Sequence, residues 1–240
     1  MTSFQGAATA AGLRRALRRH SDPARAQILR RFFKTGPGDY GEGDAFWGIP
    51  VPRIRAVLGH FPDIPLAVAD DLLASPIHEV RFLAVVALVR AYAAAGAAGR
   101  QAVVDLYLSR ARRVNNWDLV DASAPGILGR HLPPGGGRRV LGRLAASPCL
   151  WERRIAMVST LEPIRRGDLG NTFWLAERFL DDPEDLMHKA AGWMLREAGK
   201  RDVASLEDFL ARQAGRMPRT MLRYAIERLP PARRRHWLAV

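Results

Sequence analysis

Trp117 and Asp121 combine an indole ring and a carboxylate four residues apart, a spacing that places both on one face of a helix. Their segment, residues 115–121, carries two acids and no base, although the chain has 37 Lys and Arg against 24 Asp and Glu. Positive charge attracts polyanions, and a fixed carboxylate stabilises a cation that forms beside it. The pair therefore predicts chemistry on a cationic centre within a nucleic acid.

Two further segments place aromatic rings beside charged groups at helical spacing. Trp151 and Arg154 are three residues apart, and Lys189, Trp193 and Arg196 follow the pattern i, i+4, i+7. A stripe of core residues normally uses Leu, Ile or Val at such positions. Each residue taken singly also has a structural interpretation, as a buried tryptophan or as an arginine that joins neighbouring helices.

Composition limits the class of protein. With 240 residues, 48% of them hydrophobic, the chain is long enough for a globular core, and a net charge of +13 favours a polyanionic partner. Cys149 is the only cysteine and the six histidines lack ligand spacing, so the sequence predicts no disulfide, no metal and no other cofactor. No apolar run approaches the about 20 residues that span a bilayer. The arginines of residues 1–20 resemble a transit sequence, but Leu13 and Leu17 favour an ordinary amphipathic helix, and we expect a cytoplasmic protein.

Apolar residues recur at helical spacing almost throughout, which predicts an all-α fold. Helix starts are predicted where a capping residue or a turn precedes proline, at Asp22-Pro23, Ser75-Pro76, Ser147-Pro148, Asp182-Pro183 and Met217-Pro218. The last three starts are 35 residues apart, and a further start is expected near Asn115 and Asn116. Units of this length stack into a solenoid with a concave surface, because none of them buries its apolar face alone.

A basic or potentially basic side chain stands six residues after four of these starts, at Arg81, Arg153, His188 and Arg223. Residues 130–166 hold eight arginines against two glutamates, and residues 212–235 hold eight against one. The pattern predicts a concave basic groove that follows a phosphate backbone in a salt-sensitive way. Ordinary charge alternation on helix surfaces is the alternative interpretation. The unit that begins near Asn115 departs from this pattern, because it carries the acids Asp118 and Asp121 where the other units carry a base.

Four segments resemble the HEAT-like repeat DNA alkylation repair proteins of the AlkD type, which are DNA glycosylases acting on alkylated bases. The similarity covers most of the chain, and its most specific parts are the second and fourth segments. The segments are Lys34 with Phe46-Trp47-Gly48-Ile49, Asn116-Trp117-Asp118-Leu119-Val120-Asp121, Trp151-Glu152-Arg153-Arg154, and Gly192-Trp193-Met194-Leu195-Arg196-Glu197.

The resemblance implies roles for residues at matching positions. Asp121 matches the family's catalytic carboxylate, and Trp117 and Trp193 match the paired aromatic residues at the lesion. Arg154 and Arg196 match its DNA-contacting arginines, and Tyr40 resembles a further lesion-side aromatic, in a glycine-rich loop that changes the spacing. Lys189 and Arg153 complete the predicted DNA-binding set. Asp118 has no implied role beyond a cap or a contact between repeats.

The function implied by the resemblance is hydrolytic release of cationic alkylated purines, such as 7-methylguanine and 3-methyladenine, from duplex DNA. The expected protein is a monomer of one HEAT-like domain, residues 1–240, with N-terminal helices at about 7–62 and repeats at about 63–240, working with the nucleoid and without a metal. Two alternatives remain open. A non-catalytic HEAT-type DNA-binding or scaffold protein would keep the basic groove, and a peptide-binding solenoid would bind duplex DNA weakly.

Overall fold

A computed structural model of the protein describes residues 8–240, so residues 1–7 of the predicted domain lie outside the described part. These residues form α-helices joined by turns, by short 3-10 and π-helical segments and by one long loop, residues 33–50. Within them no β-strand forms beyond an isolated bridge between Ala45 and Ile77. The helices are α1 Ala10–Arg18, α2 Pro23–Phe32, α3 Val51–Gly59, α4 Leu66–Leu73, α5 His78–Ala94, α6 Ala97–Ser109, α7 Trp117–Ser123, α8 Arg138–Ala145, α9 Leu150–Ser159, α10 Leu161–Arg165, α11 Gly170–Arg178, α12 Asp185–Arg201, α13 Val203–Gln213, α14 Arg219–Ala225 and α15 Pro231–Ala239.

The chain divides into two compact units, Met1–Ser123 and Ala124–Val240. In the first unit, α5 packs against α3, α4, α6 and α7. In the second unit, α12 packs against α9, α10, α11, α13 and α14. The prediction of an all-α fold of helical repeats is confirmed, whereas the single domain and the concave groove stay predictions. None of the helices in residues 8–240 combines the length and the apolar character that a bilayer crossing requires.

The predicted helix starts are only partly right. Pro23 begins α2 as expected, and the carboxylate of Asp22 caps it by accepting from the Arg25 N–H at 3.1 Å. After Ser75, Ser147 and Asp182 the chain first makes a tight turn, in which the side-chain oxygen accepts the N–H two residues later, at 3.0–3.1 Å. The helix then begins three residues after the turn residue, at His78, Leu150 and Asp185.

The recurring basic position closes this turn. Arg81 and Arg153 donate through Nη1 to the carbonyl oxygens of Ser75 and Ser147, at 3.0 and 3.1 Å. His188 makes the equivalent contact, 2.7 Å from its Nε2 to the carbonyl oxygen of Asp182. A carbonyl ahead of a helix start needs a donor once it is shielded from water, and a long cationic side chain supplies one. At these three repeats the position is therefore structural, which differs from its interpretation as a phosphate contact.

Small residues bring the long helices together. Ala84, Ala156 and Ala191 each follow a predicted start by nine residues, and none of them is exposed. Next to Ala191, a Cβ atom on Gly192 would lie 2.5 Å from the Met221 carbonyl oxygen. Glycine at this position therefore lets α14 approach α12 more closely than any other residue would.

Candidate functional site

Trp117 and Asp121 lie on α7, which begins at Trp117. The carboxamide oxygen of Asn116 accepts the Trp117 N–H at 2.8 Å and so starts the helix. Leu119 and Val120 are fully buried and fix which face of α7 packs inward, leaving Trp117 and Asp121 half-buried. Because α7 is helical from Trp117 to Ser123, the indole and the carboxylate lie one turn apart on the same face, as predicted. Both residues remain in reach of solvent.

The Trp117 ring lies against two phenylalanines of the α2 C-terminus. Its centroid is 5.4 Å from that of Phe33 and 6.0 Å from that of Phe32, with interplanar angles of 30° and 66°. Phe33 stacks in turn on Phe46 at 5.2 Å. Phe33 and Phe46 are buried, whereas Phe32 is 60% exposed. An aromatic face thus extends from Trp117 onto α2.

A buried histidine ties α7 to its neighbours. His78, the first residue of α5, lies with Nδ1 3.0 Å from Asp44 Oδ2 and with Nε2 2.9 Å from Asp118 Oδ2. Its ring stacks on Phe46 at a centroid distance of 4.6 Å and lies 4.9 Å from Phe33. We call this arrangement the Asp44–His78–Asp118 network. It assigns Asp118 a contact between helices and holds the N-terminus of α7, where Trp117 begins.

Asp44 accepts hydrogen bonds from three further side chains next to the network. Its carboxylate also accepts from Arg81 Nη2 and from the carboxamides of Asn115 and Asn116, the last two at 3.3 Å. Burial opposes the charge on Asp44, but the hydrogen bond from His78 and the charge of Arg81 outweigh it and lower the pKa of this carboxyl. Two carboxylates therefore face two cations in a site from which water is largely excluded.

The pKa of His78 predicts how stability depends on pH. Burial disfavours the imidazolium, but the hydrogen bonds and charges of Asp118 and Asp44 outweigh it and raise this pKa from 6.5 to about 9. Below pH 6.5 both the folded and the unfolded chain hold the proton, so the contribution is fully present. Between about pH 6.5 and 9 only the folded chain retains it, and stability falls as the pH rises.

Urea denaturation between pH 6 and pH 10 measures this dependence. We expect the midpoint for the wild type to fall across this window, and the corresponding slope to be reduced in His78→Gln, which has no titrating ring. Equal slopes for the two proteins would contradict the assignment of the proton to His78.

Glu79 fixes the segment that carries Phe46. Its buried carboxylate accepts the backbone N–H groups of Trp47, Gly48 and Ile49, at 3.0, 2.7 and 3.1 Å. Gly48 has a φ of +81°, and a Cβ atom there would lie 2.1 Å from the Asp22 carbonyl oxygen, so this position requires glycine. The Phe-Trp-Gly-Ile motif is therefore a structural support for the aromatic face.

In the second unit, Trp193 lines an open cleft of about 300 Å³ between α10 and α12. Leu161 and Ile164 form its apolar floor. Its charged rim consists of Arg165, Glu197, Lys200 and Arg201. An indole over an apolar floor with a mostly basic rim suits a planar group attached to an anion.

The two arginines of α9 make contacts within the protein. Arg154 is buried, 5% exposed, and its Nη1 donates to the Leu186 carbonyl oxygen at 2.6 Å, which joins α9 to the first turn of α12. Arg153 binds Asp182 through Nε at 2.7 Å and Nη2 at 3.3 Å, in addition to closing its turn. These contacts differ from the sequence-based expectation of arginines presented to DNA. For either arginine to bind a phosphate, its guanidinium has to give up some of these hydrogen bonds within the protein.

Arg196 and Lys189, both on α12, are ion-paired. Arg196 pairs with Glu227 through Nη1, and its Nε lies 3.4 Å from Glu197. Lys189 Nζ lies 2.8 Å from Asp185. Both cations are part-exposed, and exposed pairs of this kind are weak, so they exchange readily for a phosphate.

Tyr40 is half-buried in the turns that follow α2. The loop folds back on itself through a hydrogen bond from Gly41 N to the Lys34 carbonyl oxygen at 3.1 Å. Lys34 has a φ of 50°, unusual for a residue other than glycine, which marks the sharp reversal at the end of α2. A lesion-side position for Tyr40 stays a prediction.

Sequence reasoning missed Phe32 and the buried network. The sequence offered one signal for Phe32, its spacing of four residues from Ile28 on α2. The structure leaves both large apolar side chains exposed, Phe32 by 60% and Ile28 by 65%. The network had no local signal, since Asp44, His78 and Asp118 are separated by 34 and 40 residues. Within residues 8–240, no group of three or more His, Cys, Asp or Glu side chains is arranged to hold a metal ion.

The fold and these sites define an all-α protein of helical repeats in which an aromatic ring and a carboxylate share one helix face. Residues 13–229 match the model of the family described as DNA alkylation repair enzyme, and the chain belongs to this family. The resemblance read from the sequence motifs is thereby confirmed. The family description gives an enzyme of DNA repair, and hence a protein that interacts with DNA.

A solved structure has a similar fold. It is a protein described as a predicted DNA alkylation repair enzyme from Enterococcus faecalis, with 17% sequence identity and a TM-score of 0.68. The match covers 88% of this chain and 98% of that protein. At this identity the likeness concerns the fold alone. No curated protein matches the sequence.

Proposed function

We propose that the protein is a monofunctional DNA glycosylase that releases cationic alkylated purines, of the 7-methylguanine and 3-methyladenine class, from duplex DNA. The observation that carries the proposal is the pairing of Trp117 and Asp121 on one face of α7. Membership of a family of DNA alkylation repair enzymes supports the substrate class. Such a protein works in the cytoplasm with the nucleoid.

The chemistry needs one fixed carboxylate. A purine alkylated at N7 or N3 already carries positive charge, so its glycosidic bond breaks without an acid to protonate the leaving base. As the bond lengthens, positive charge moves onto the sugar, and a nearby carboxylate gains attraction to this transition state over the starting nucleotide. Asp121, on the solvent-accessible side of α7, supplies that carboxylate and orients the attacking water in this proposal. Its half-buried position strengthens the interaction by limiting solvent screening.

The aromatic rings favour a charged lesion. Indole faces attract cations, and Trp117 lies one helical turn from Asp121. Phe32, which is 60% exposed, packs against Trp117 and extends this aromatic surface. Trp193, on the wall of its own cleft, is the second predicted lesion contact. DNA contacts by Arg154, Arg196, Lys189, Arg153 and Tyr40 stay predictions. Of the cations, Arg196 and Lys189 are the more accessible.

A lyase step through a Schiff base has little support. It requires a neutral lysine amine, and the Lys189 ammonium is instead paired with Asp185 at 2.8 Å. The proposal therefore predicts an abasic site as the product, with strand cleavage only after treatment with alkali.

Release of 7-methylguanine from methylated duplex DNA tests the proposal. We expect the wild-type protein to release the base well above the spontaneous rate, and chromatography of the free base measures it. Heat-denatured protein is the control, because the cationic base also leaves spontaneously. Tight DNA binding with release at the spontaneous rate would favour the non-catalytic scaffold, and weak, unselective binding at low salt would favour the peptide-binding alternative.

A further inference from the structure

A second cleft lies in the first unit, between α2 and residues 45–47, which precede α3. Its volume is about 410 Å³, within the range that small ligands occupy. Pro23, Ala26 and Arg30 present one face of α2 to it, and Trp47 and Ile77 line the other side. None of the described residues that line the cleft belongs to α7. Phe46, which also lines it, stacks on Phe33, and Phe33 contacts Trp117.

The charge of this cleft is uncompensated. Arg18 and Arg30 line it, and none of the described residues that line it is acidic. Two acids are adjacent in sequence to residues that line the cleft, and both are engaged elsewhere. Asp22 caps α2 with its carboxylate on the Arg25 N–H at 3.1 Å, and Asp44 binds His78 and Arg81. Two guanidinium groups beside an apolar wall favour an anion, and guanidinium geometry matches phosphate.

The donors in the cleft are available to a ligand. The Arg18 guanidinium lies over the Trp47 ring at 4.9 Å from its centroid, which positions the cation while leaving the edge of its plane to donate hydrogen bonds. Within the described chain, the side chains of Gln27 and Arg30 have no hydrogen-bond or ion-pair partner. Gln27 adds a carboxamide that both donates and accepts, as the edge of a nucleobase requires.

We propose that this cleft binds one nucleotide of a DNA strand, with the phosphate between Arg18 and Arg30 and the sugar and base against Ala26 and Trp47. The cleft extends the protein's contact with the strand beyond the face of α7. The inference rests on the proposed function only in taking DNA as the ligand. It does not depend on base release.

Charge-matched variants test the cleft. Arg30→Ala and Arg25→Ala each remove one exposed positive charge from α2, but only Arg30 lines the cleft. For a fluorescein-labelled single-stranded oligonucleotide, we expect Arg30→Ala to weaken binding about tenfold, the scale of one charge-assisted hydrogen bond. Arg25→Ala, acting only through the screened field, should weaken it no more than about twofold. Fluorescence anisotropy at one fixed salt concentration measures both.

A neutral substitution and a free nucleotide complete the experiment. Gln27→Leu changes no charge, so weaker oligonucleotide binding in this variant supports a specific contact. Equal losses in Arg30→Ala and Arg25→Ala would overturn the proposal. Displacement of the oligonucleotide by free deoxyadenosine monophosphate would support it, because this nucleotide carries the phosphate, sugar and base that the cleft is proposed to hold. If the wild type releases no base but Arg30→Ala still binds more weakly than Arg25→Ala, the glycosylase proposal fails and the cleft stands.

Discussion

Replacement of Asp121 by Asn is expected to lower the rate of 7-methylguanine release by about a hundredfold to a thousandfold, the scale of losing one preorganised electrostatic group. Asn keeps the size of the side chain and its ability to bind water, but it lacks the charge that stabilises the sugar cation. Because this stabilisation is gained in the transition state, the effect should fall on the single-turnover rate rather than on DNA binding. Base release under single-turnover conditions and anisotropy with the same duplex measure the two quantities.

A matched control separates catalysis from the overall electrostatic field. Asp105→Asn also removes one negative charge from the first unit, at an exposed position on α6 where the carboxylate accepts from Gln101 at 2.8 Å. We expect Asp105→Asn to release the base at the wild-type rate. If Asp121→Asn also kept that rate, the carboxylate on α7 would have no part in the reaction. A loss of binding equal to the loss of rate would instead make Asp121 a residue for positioning DNA.

The face of α7 was predictable because it depends on local sequence. Trp117 and Asp121 are four residues apart, and the geometry of one helix places them together once α7 forms. The repeat was also predictable, since the turns at Ser147 and Asp182 are 35 residues apart and Ser75 precedes Ser147 by 72 residues, about two such steps. The predicted starts of these helices were too early. A serine or aspartate before proline also forms a turn of its own, and the helix begins only after that turn.

The role of the recurring bases was not predictable from their spacing. A cation six residues after a turn has the same pattern whether it faces solvent or folds back on a carbonyl, and only the path of the chain decides. The same holds for Arg154, whose spacing from Trp151 is helical but whose guanidinium reaches the backbone of α12. Contacts between distant segments, such as that of His78 with Asp44 and Asp118, depend on packing that no local pattern contains.

Asp44→Ala is expected to destabilise the protein by about 3–5 kcal/mol, because removing one partner of a buried ion pair leaves the other charge unpaired. Asp44 is 8% exposed, and its carboxylate serves both His78 and Arg81, whose side chains lie almost out of contact with water. The same substitution also removes the acceptor for the carboxamides of Asn115 and Asn116, which precede α7. Urea denaturation at pH 6, where His78 is protonated in both states, measures the change in the free energy of unfolding.

Asp70→Ala is the matched control, because Asp70 lies in the same unit and also accepts from an arginine, Arg110. That pair is part-exposed to solvent on both sides, so its loss should cost no more than about 1 kcal/mol. Equal costs for the two variants would mean that the Asp44–His78–Asp118 network adds no more than a surface pair. A larger cost at Asp44 would show that this network stabilises the N-terminus of α7. It would thereby also stabilise the positions of Trp117 and Asp121, the indole and the carboxylate of the proposed site. Destabilisation should then also reduce base release, although Asp44 itself lies beneath the aromatic face and has no role in the chemistry.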